Sequence, residues 1–473
     1  MTGFLCVRGG VKVREERTFA AISTAPQNAA ISVVRMSGPE ALEIGERVFR
    51  PAEGEPLGRR ASHTICYGAV TGADGAVIDR AMAAVLRAPR TYTGLDTVEF
   101  YCHGGIVVTA LVLDRLIEAG AAPAEAGEFT KTAFLNGKLD LAEAESVIDL
   151  IEAGSVRAAR MAAAHVGGDL SEAISALERR ISAQLSHILA YVDFADEGLV
   201  RLTEGELLEA IRGILADAER LCGSYSVGRA IKEGVRTVIC GRPNAGKSSV
   251  MNALSRTERS IVTELSGTTR DVVTGSTELQ GIRFLLSDTA GLRETGDPVE
   301  RIGVERARGE IARAEVLLCV FDGSRPLCAE DLQLLEQSEG RTAVGVLNKC
   351  DLSETRELLA SGAFQKLLER FPELVRLSAR TGENLPALER ALCAAAGVQE
   401  TEGVVIDNLR HRDCLMRCCE ALRRAESSLT MGLEGELVEI DLVDAANALA
   451  QITGHSVGDE VIDGIFSRFC VGK

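Results

Sequence analysis

The stretch Gly-Arg-Pro-Asn-Ala-Gly-Lys-Ser, residues 241 to 248, narrows what this chain can be more than any other feature of its sequence. Its two glycines permit a tight loop whose amide hydrogens face phosphate oxygens. Lys247 offers a point charge to the outer phosphates, and Ser248 offers a hydroxyl to magnesium. The apolar run VRTVIC lies before the loop and the helix-like VMNALSR after it. Strand, loop and helix in that order are the context the motif needs.

Four more pieces follow in order. The loop that contains Thr263, Glu264, Leu265, Ser266, Gly267, Thr268 and Thr269 offers Thr269 as a second hydroxyl for the metal. FLLSDTAG runs a strand into Asp288, placed to hold the magnesium shell, followed by Thr289, Ala290 and Gly291; the amide of Gly291 can sense a γ-phosphate. VGVLNKCD ends another strand on Asn348, Lys349, Cys350 and Asp351. The Asp351 carboxylate can accept two hydrogens from the N1 and N2 edge of guanine, which adenine does not offer. VRLSAR then supplies Ser378, Ala379 and Arg380, whose backbone suits the guanine O6. Glycine-rich turns after strands explain any one of these pieces but not the ordered series. The expectation is therefore a GTP site that includes Asn244, Ala245, Gly246, Lys247, Ser248 and Ser249.

The hydrolytic group is less direct. A glutamine that positions water directly after the glycine of DTAG is replaced here by Leu292, whose isobutyl group cannot orient water. Glu294, two residues on, is the nearest group able to do so; the alternative is a solvated loop carboxylate. Charge between the β- and γ-phosphates also needs an offset. Asn244 can present its side-chain oxygen to a monovalent cation, with Thr263, Leu265 and Thr268 supplying further oxygens, or it can be simply a turn-forming residue.

Composition removes other classes. No run of eighteen apolar residues exists, so no transmembrane helix is expected, and the segment MTGFLCVRGG lacks an apolar stretch of the signal-peptide kind. A cytoplasmic protein is the expectation. A net charge of -17 opposes non-specific binding to nucleic acid, so any such contact uses a local patch or a partner. Thirteen irregularly spaced cysteines suit reduced thiols rather than a disulfide framework. In HRDCLMRCC, His411, Cys414 and Cys418 share a helix face, where packing is a better reading than metal binding.

The expected architecture is multidomain. Residues 1–137 read as an α+β domain of short apolar runs bounded by Gly, Pro and Asp. Residues 138–234 read as long helices broken at Gly167 and Gly168, and residues 235–396 alternate strand and helix as an α/β P-loop domain. Residues 397–473 return to amphipathic helix. A nucleotide domain flanked by helical sequence suggests insertion into one all-α domain.

With these motifs placed, the chain resembles the MnmE (TrmE) family of tRNA modification GTPases from residue 18 to residue 473. TYTGLDTVEFYCHGG, GEFTKTAFLNGKLDLAEAESVIDLI and IFSRFCVGK match stretches typical of that family. The resemblance implies an N-terminal tetrahydrofolate-binding and dimerisation domain, a helical domain and an inserted G domain. It implies a homodimer that works with the FAD protein MnmG (GidA), as a heterotetramer, to place an aminomethyl-type group on C5 of the wobble uridine of certain tRNAs. It also implies potassium at Asn244, Thr263, Leu265 and Thr268, magnesium at Ser248 and Thr269, and water at Glu294. Folate would be held by Arg35, Glu99, Lys138 and Lys473, with Cys470 either a reactive thiol or a packed one. The chain departs from the family at TAPQNAAISVV, where a glycine-rich loop is usual, at PAEAGEFT, where Arg-x-Pro-Gly is usual, and at Ser266, where Ala is common. Two rival functions are a regulatory GTPase of the ribosome-assembly kind and a folate-dependent aminomethyltransferase with an accessory G domain.

Overall fold

The computed structural model describes residues 17–193, 203–255, 275–288, 311–352, 362–397, 403–431 and 435–473. Two compact units emerge. One takes in Met1–Ile148, His165–Gly198 and Glu439–Lys473; the other takes in Asp149–Ala164 and Leu199–Val438.

The first unit is built on a seven-stranded sheet of β1 (Phe19–Ile22), β2 (Ile31–Ser37), β3 (Phe49–Pro51), β4 (Thr64–Thr71), β5 (Val77–Leu86), β6 (Thr97–His103) and β7 (Ala122–Pro123), in the order β3-β4-β5-β6-β2-β1-β7. All neighbours are antiparallel except β1 and β7. Strand residues alternate between faces. Val34 and Met36 of β2, with Val98 and Phe100 of β6, are fully buried in a core shared with the helices Ala41–Val48 and Ile106–Glu118. Each such side chain contributes about 1.5–3 kcal/mol of burial. Arg35, Glu99 and Tyr101 fall on the opposite face, where they are only partly covered.

Helices complete this unit. The helix Leu141–Glu152 starts on a reciprocal cap: Glu143 N donates to Asp140 Oδ1 and Asp140 N to Glu143 Oε2, both at 2.8 Å. Its buried Leu141 and Ala144 pack with Ile462, Phe466 and Phe469. Beyond them the chain passes the end of β1: Ser23 Oγ donates to Gly472 O at 3.1 Å, and Val471 bridges Ala126. Gly472 has φ +103°, and a Cβ there would sit 2.2 Å from Ile22 O, so only glycine lets the chain pass and bring Lys473 in.

The second unit carries a six-stranded sheet of β8 (Val235–Cys240), β9 (Gly275–Leu279), β10 (Ile282–Asp288), β11 (Val316–Asp322), β12 (Ala343–Asn348) and β13 (Val375–Arg376), in the order β13-β12-β11-β8-β10-β9. Only β9 is antiparallel to its neighbour. A parallel sheet is buried on both faces, which is why β11 and β12 read as apolar runs up to their last residues, Asp322 and Asn348. Two separate cores line those faces, one around Ile239 and Phe284, the other around Cys319 and Phe321.

The same unit holds the helices Glu204–Gly223 and Leu409–Thr430, which pack on each other, and Tyr225–Glu233, which lies against β10. The segment leading into β8 and the segment returning after the sheet lie side by side: Ile406 N donates to Ser224 Oγ at 3.0 Å. Lys232, three residues before β8, reaches Asp149 Oδ2 at 2.7 Å and Asp407 Oδ2 at 3.6 Å. Adjacent ends are what insertion of a domain into a host requires. The architecture is therefore multidomain: an α+β N-terminal part, helices, and an inserted α/β P-loop domain. Every described cysteine is a free thiol, and Cys414 and Cys418 are buried on the helix Leu409–Thr430 beside His411.

Candidate functional site

The nucleotide site assembles at the ends of four parallel strands, the edge where open α/β sheets place their ligands. β8 feeds the loop 241–246 into the helix Lys247–Ser255. Gly246 has φ +96°, and a Cβ on it would lie 2.2 Å from Asn348 Nδ2, so this position admits no side chain. Asn244 also takes the left-handed region, at φ 62°. Lys247 is buried, its ammonium donating to Gly241 O at 2.8 Å and Arg242 O at 3.1 Å. Asp288 pairs in register with Ile239 and so arrives beside the loop. Ser248 Oγ donates to its Oδ2 at 3.0 Å.

Asn348 ties the loop 241–246 to the segment that carries Ser378 and Ala379. Buried at the end of β12, it donates from Nδ2 to Ala245 O and accepts at Oδ1 from Ala379 N, each at 3.0 Å. Beside it opens a cavity of about 450 Å³ that Gly246, Ser249, Asp351, Ser378, Ala379 and Arg380 help to line. Cys350 turns its thiol back onto Leu347 O at 3.2 Å. Lys349, at φ 66°, donates to Asn244 O at 2.8 Å and to Asp322 Oδ2 at 2.7 Å. Burial pushes the Asp322 carboxyl up, but Lys349 and Ser324 together outweigh it and hold the group below its ordinary value. Asp322 and Arg242, 3.9 Å apart, border this loop and were not singled out in the sequence. A signal existed: β11 ends on a polar residue at the same sheet edge as Asp288 and Asn348.

A serine hydroxyl and a carboxylate in contact are hard oxygen donors of the kind magnesium takes, so Ser248 and Asp288 fit that ion. Of the residues expected to hold the monovalent cation, Asn244 is described: it is exposed, and its backbone carbonyl accepts from Lys349. Thr263, Glu264, Leu265, Ser266, Gly267, Thr268, Thr269, Thr289, Ala290, Gly291, Leu292 and Glu294 lie outside the described residues.

A second cluster lies in the first unit. Arg35 of β2 and Glu99 of β6 are register partners, and Arg35 Nε donates to Glu99 Oε1 at 2.7 Å. Tyr101 donates its hydroxyl to Glu99 Oε2, also at 2.7 Å, and burial together with Glu99 pushes that phenol up to about 12. The Arg35 guanidinium lies 5.6 Å from the Phe129 ring centroid. Lys473 joins this group: burial, then Arg35, hold its ammonium below the ordinary lysine value against the pull of Glu99. Phe129 N fixes the Lys473 backbone by donating to its carbonyl at 3.2 Å. Lys138 is exposed, with its stem beside Gly94. Cys470 is exposed. A paired acceptor flanked by cations fits a heterocycle with an anionic tail, the chemistry of a folate. Tyr101 is the member that the sequence alone left out.

Residues 18–138 match the family model described as GTP-binding protein TrmE N-terminus, and residues 141–470 match the one described as MnmE helical domain. A tRNA modification GTPase MnmE of Symbiobacterium thermophilum is 45% identical over 459 residues, covering 97% of this chain and 100% of that one. Its counterpart in Chloroflexus aurantiacus is 41% identical over 460 residues, covering 96% and 99%. Among solved structures, Aquifex aeolicus Era bound to GDP.AlF4- is 24% identical over 39% of this chain and 66% of that one, with a TM-score of 0.28.

Proposed function

The chain belongs to the MnmE family of tRNA modification GTPases, and from that premise we propose that it couples hydrolysis of GTP to modification of C5 of the wobble uridine in certain tRNAs. The one-carbon donor in this reading is a tetrahydrofolate derivative, and the added group is of the (carboxymethyl)aminomethyl type. The observation that carries the GTP part is Asn348, which joins the Ala245 carbonyl of the phosphate loop to the Ala379 amide beside the guanine cavity.

In this mechanism the amides of residues 244–249 and the Lys247 ammonium gather the β- and γ-phosphates. Asp351 reads the base, and the backbone of Ser378 and Ala379 meets its O6. Ser248 and Asp288, with Thr269, would hold magnesium, which offsets phosphate charge. Asn244, Thr263, Leu265 and Thr268 would hold potassium, whose charge serves where other GTPases use an arginine finger. Glu294 orients the attacking water. Arg35, Glu99, Lys138 and Lys473 bind the folate, and Cys470 lies within the same stretch as Lys473. The working assembly is a cytoplasmic homodimer joined through its N-terminal domains, with MnmG as its FAD-bearing partner in a heterotetramer. The domains run 1–137, 138–234, 235–396 and 397–473.

Two measurements test this. GTP turnover is expected to be much faster in potassium than in sodium, and equal rates would remove the cation role of Asn244. Mass spectrometry of tRNA from cells lacking the protein is expected to show wobble uridines without their C5 groups. Unchanged nucleosides would point instead to a regulatory switch in ribosome assembly.

A further inference from the structure

The carboxylate of Glu99 is held at both ends, and the two holders differ in origin. Arg35 lies across the strand pair in register and takes Oε1; Tyr101 lies two residues along the same strand, on the same face, and takes Oε2. Both partners donate. Arginine is always charged, and the Tyr101 phenol, pushed up to about 12, keeps its proton. The register partners of Tyr101 are Val33 and Met82, which offer no competing side-chain hydrogen bond.

We propose that Tyr101 is a positioning residue of the folate site: it locks the rotation of Glu99 so that each carboxylate oxygen keeps one lone pair aimed at an incoming ring. The inference rests on the folate reading above. An ionised carboxylate has about four acceptor positions, and the two donors occupy one on each oxygen. The terminal torsion of a glutamate is broad and soft, so Arg35 alone, holding Oε1, leaves Oε2 free to swing. With Tyr101 in place the two oxygens form a fixed acceptor pair. That pair selects a planar heterocycle carrying a ring N–H beside an exocyclic amine, as the 2-amino-4-oxo edge of a pterin does.

The test uses the full-length protein and isothermal titration with tetrahydrofolate and its 2-desamino counterpart under anaerobic conditions. Wild type is expected to prefer the 2-amino ligand. Tyr101→Phe is expected to weaken tetrahydrofolate binding by about tenfold or more, with 2-desamino binding little changed and the thermal midpoint retained. The collapse of ligand preference is the readout that a merely structural tyrosine would not give. Equal affinities of Y101F and wild type for both ligands would overturn the positioning role, as would a parallel loss of both. Wild type that binds neither ligand would defeat the folate reading itself.

Discussion

The two clusters reach their geometry by different routes. The nucleotide site draws on short consecutive runs, each a loop or strand end that offers backbone and side-chain groups together, placed by strands that all end at one sheet edge. The Arg35–Glu99 cluster uses side chains from strands 64 positions apart, completed by Lys473 from a segment that passes the end of β1. A site made of short consecutive runs writes itself into the sequence as motifs. A site made by register leaves only isolated residues.

If the sites are independent, damage to one should spare the other. Lys247→Ala removes the buried cation of the phosphate loop and is expected to slow GTP hydrolysis by about 10²–10³-fold, with tetrahydrofolate affinity unchanged by calorimetry. A fall in both would break the comparison. Asp351→Asn replaces a double acceptor by a group that also donates; GTP affinity is expected to fall by about 10–100-fold, with xanthosine triphosphate gaining in competition against a fluorescent nucleotide. Arg35→Gln leaves Glu99 without its charged partner, and tetrahydrofolate binding is expected to weaken by about tenfold while the nucleotide affinity stays constant.

The smallest expected effect sharpens the nucleotide side of the contrast. Asp322 holds Lys349, which in turn holds the Asn244 carbonyl. Asp322→Asn is expected to cost about 1 kcal/mol in urea unfolding at neutral pH. Because the folded carboxyl is held below its ordinary value of 3.8, its stabilisation is complete above that value and is lost as the pH falls through the folded one. Wild type should therefore converge on D322N in acid. A gap that persists there would mean that the carboxylate charge is not what holds Lys349.

Legibility followed the same division. Gly246, Lys247, Ser248, Asp288, Asn348 and Asp351 stand out in the sequence because each sits in a short motif at or after a strand end. The structure gathers them around one loop and cavity. The break between helices at Gly167 and Gly168 was readable too, since the helix Val156–Val166 stops there and Asp169–Asp193 begins. Asp322 was not, because a lone aspartate after an apolar run has no partner until β11 lies beside β12. Tyr101 was hidden for a similar reason: its role appears only once β6 fixes it on the same face as Glu99. Which helices join which compact unit was equally unreadable, since amphipathic periodicity names a buried face without naming what covers it.

Lys232 has a mechanical meaning. From the stretch just before the phosphate-loop strand, its one ammonium reaches Asp149 of the helix Leu141–Glu152 and Asp407 of the stretch after the sheet, and Asp407 Oδ2 has no hydrogen bond of its own. Together with the bond from Ile406 N to Ser224 Oγ, this ion pair fastens the chain entering the sheet to the chain leaving it, so a substitution at Lys232 is felt on both sides of the nucleotide domain at once.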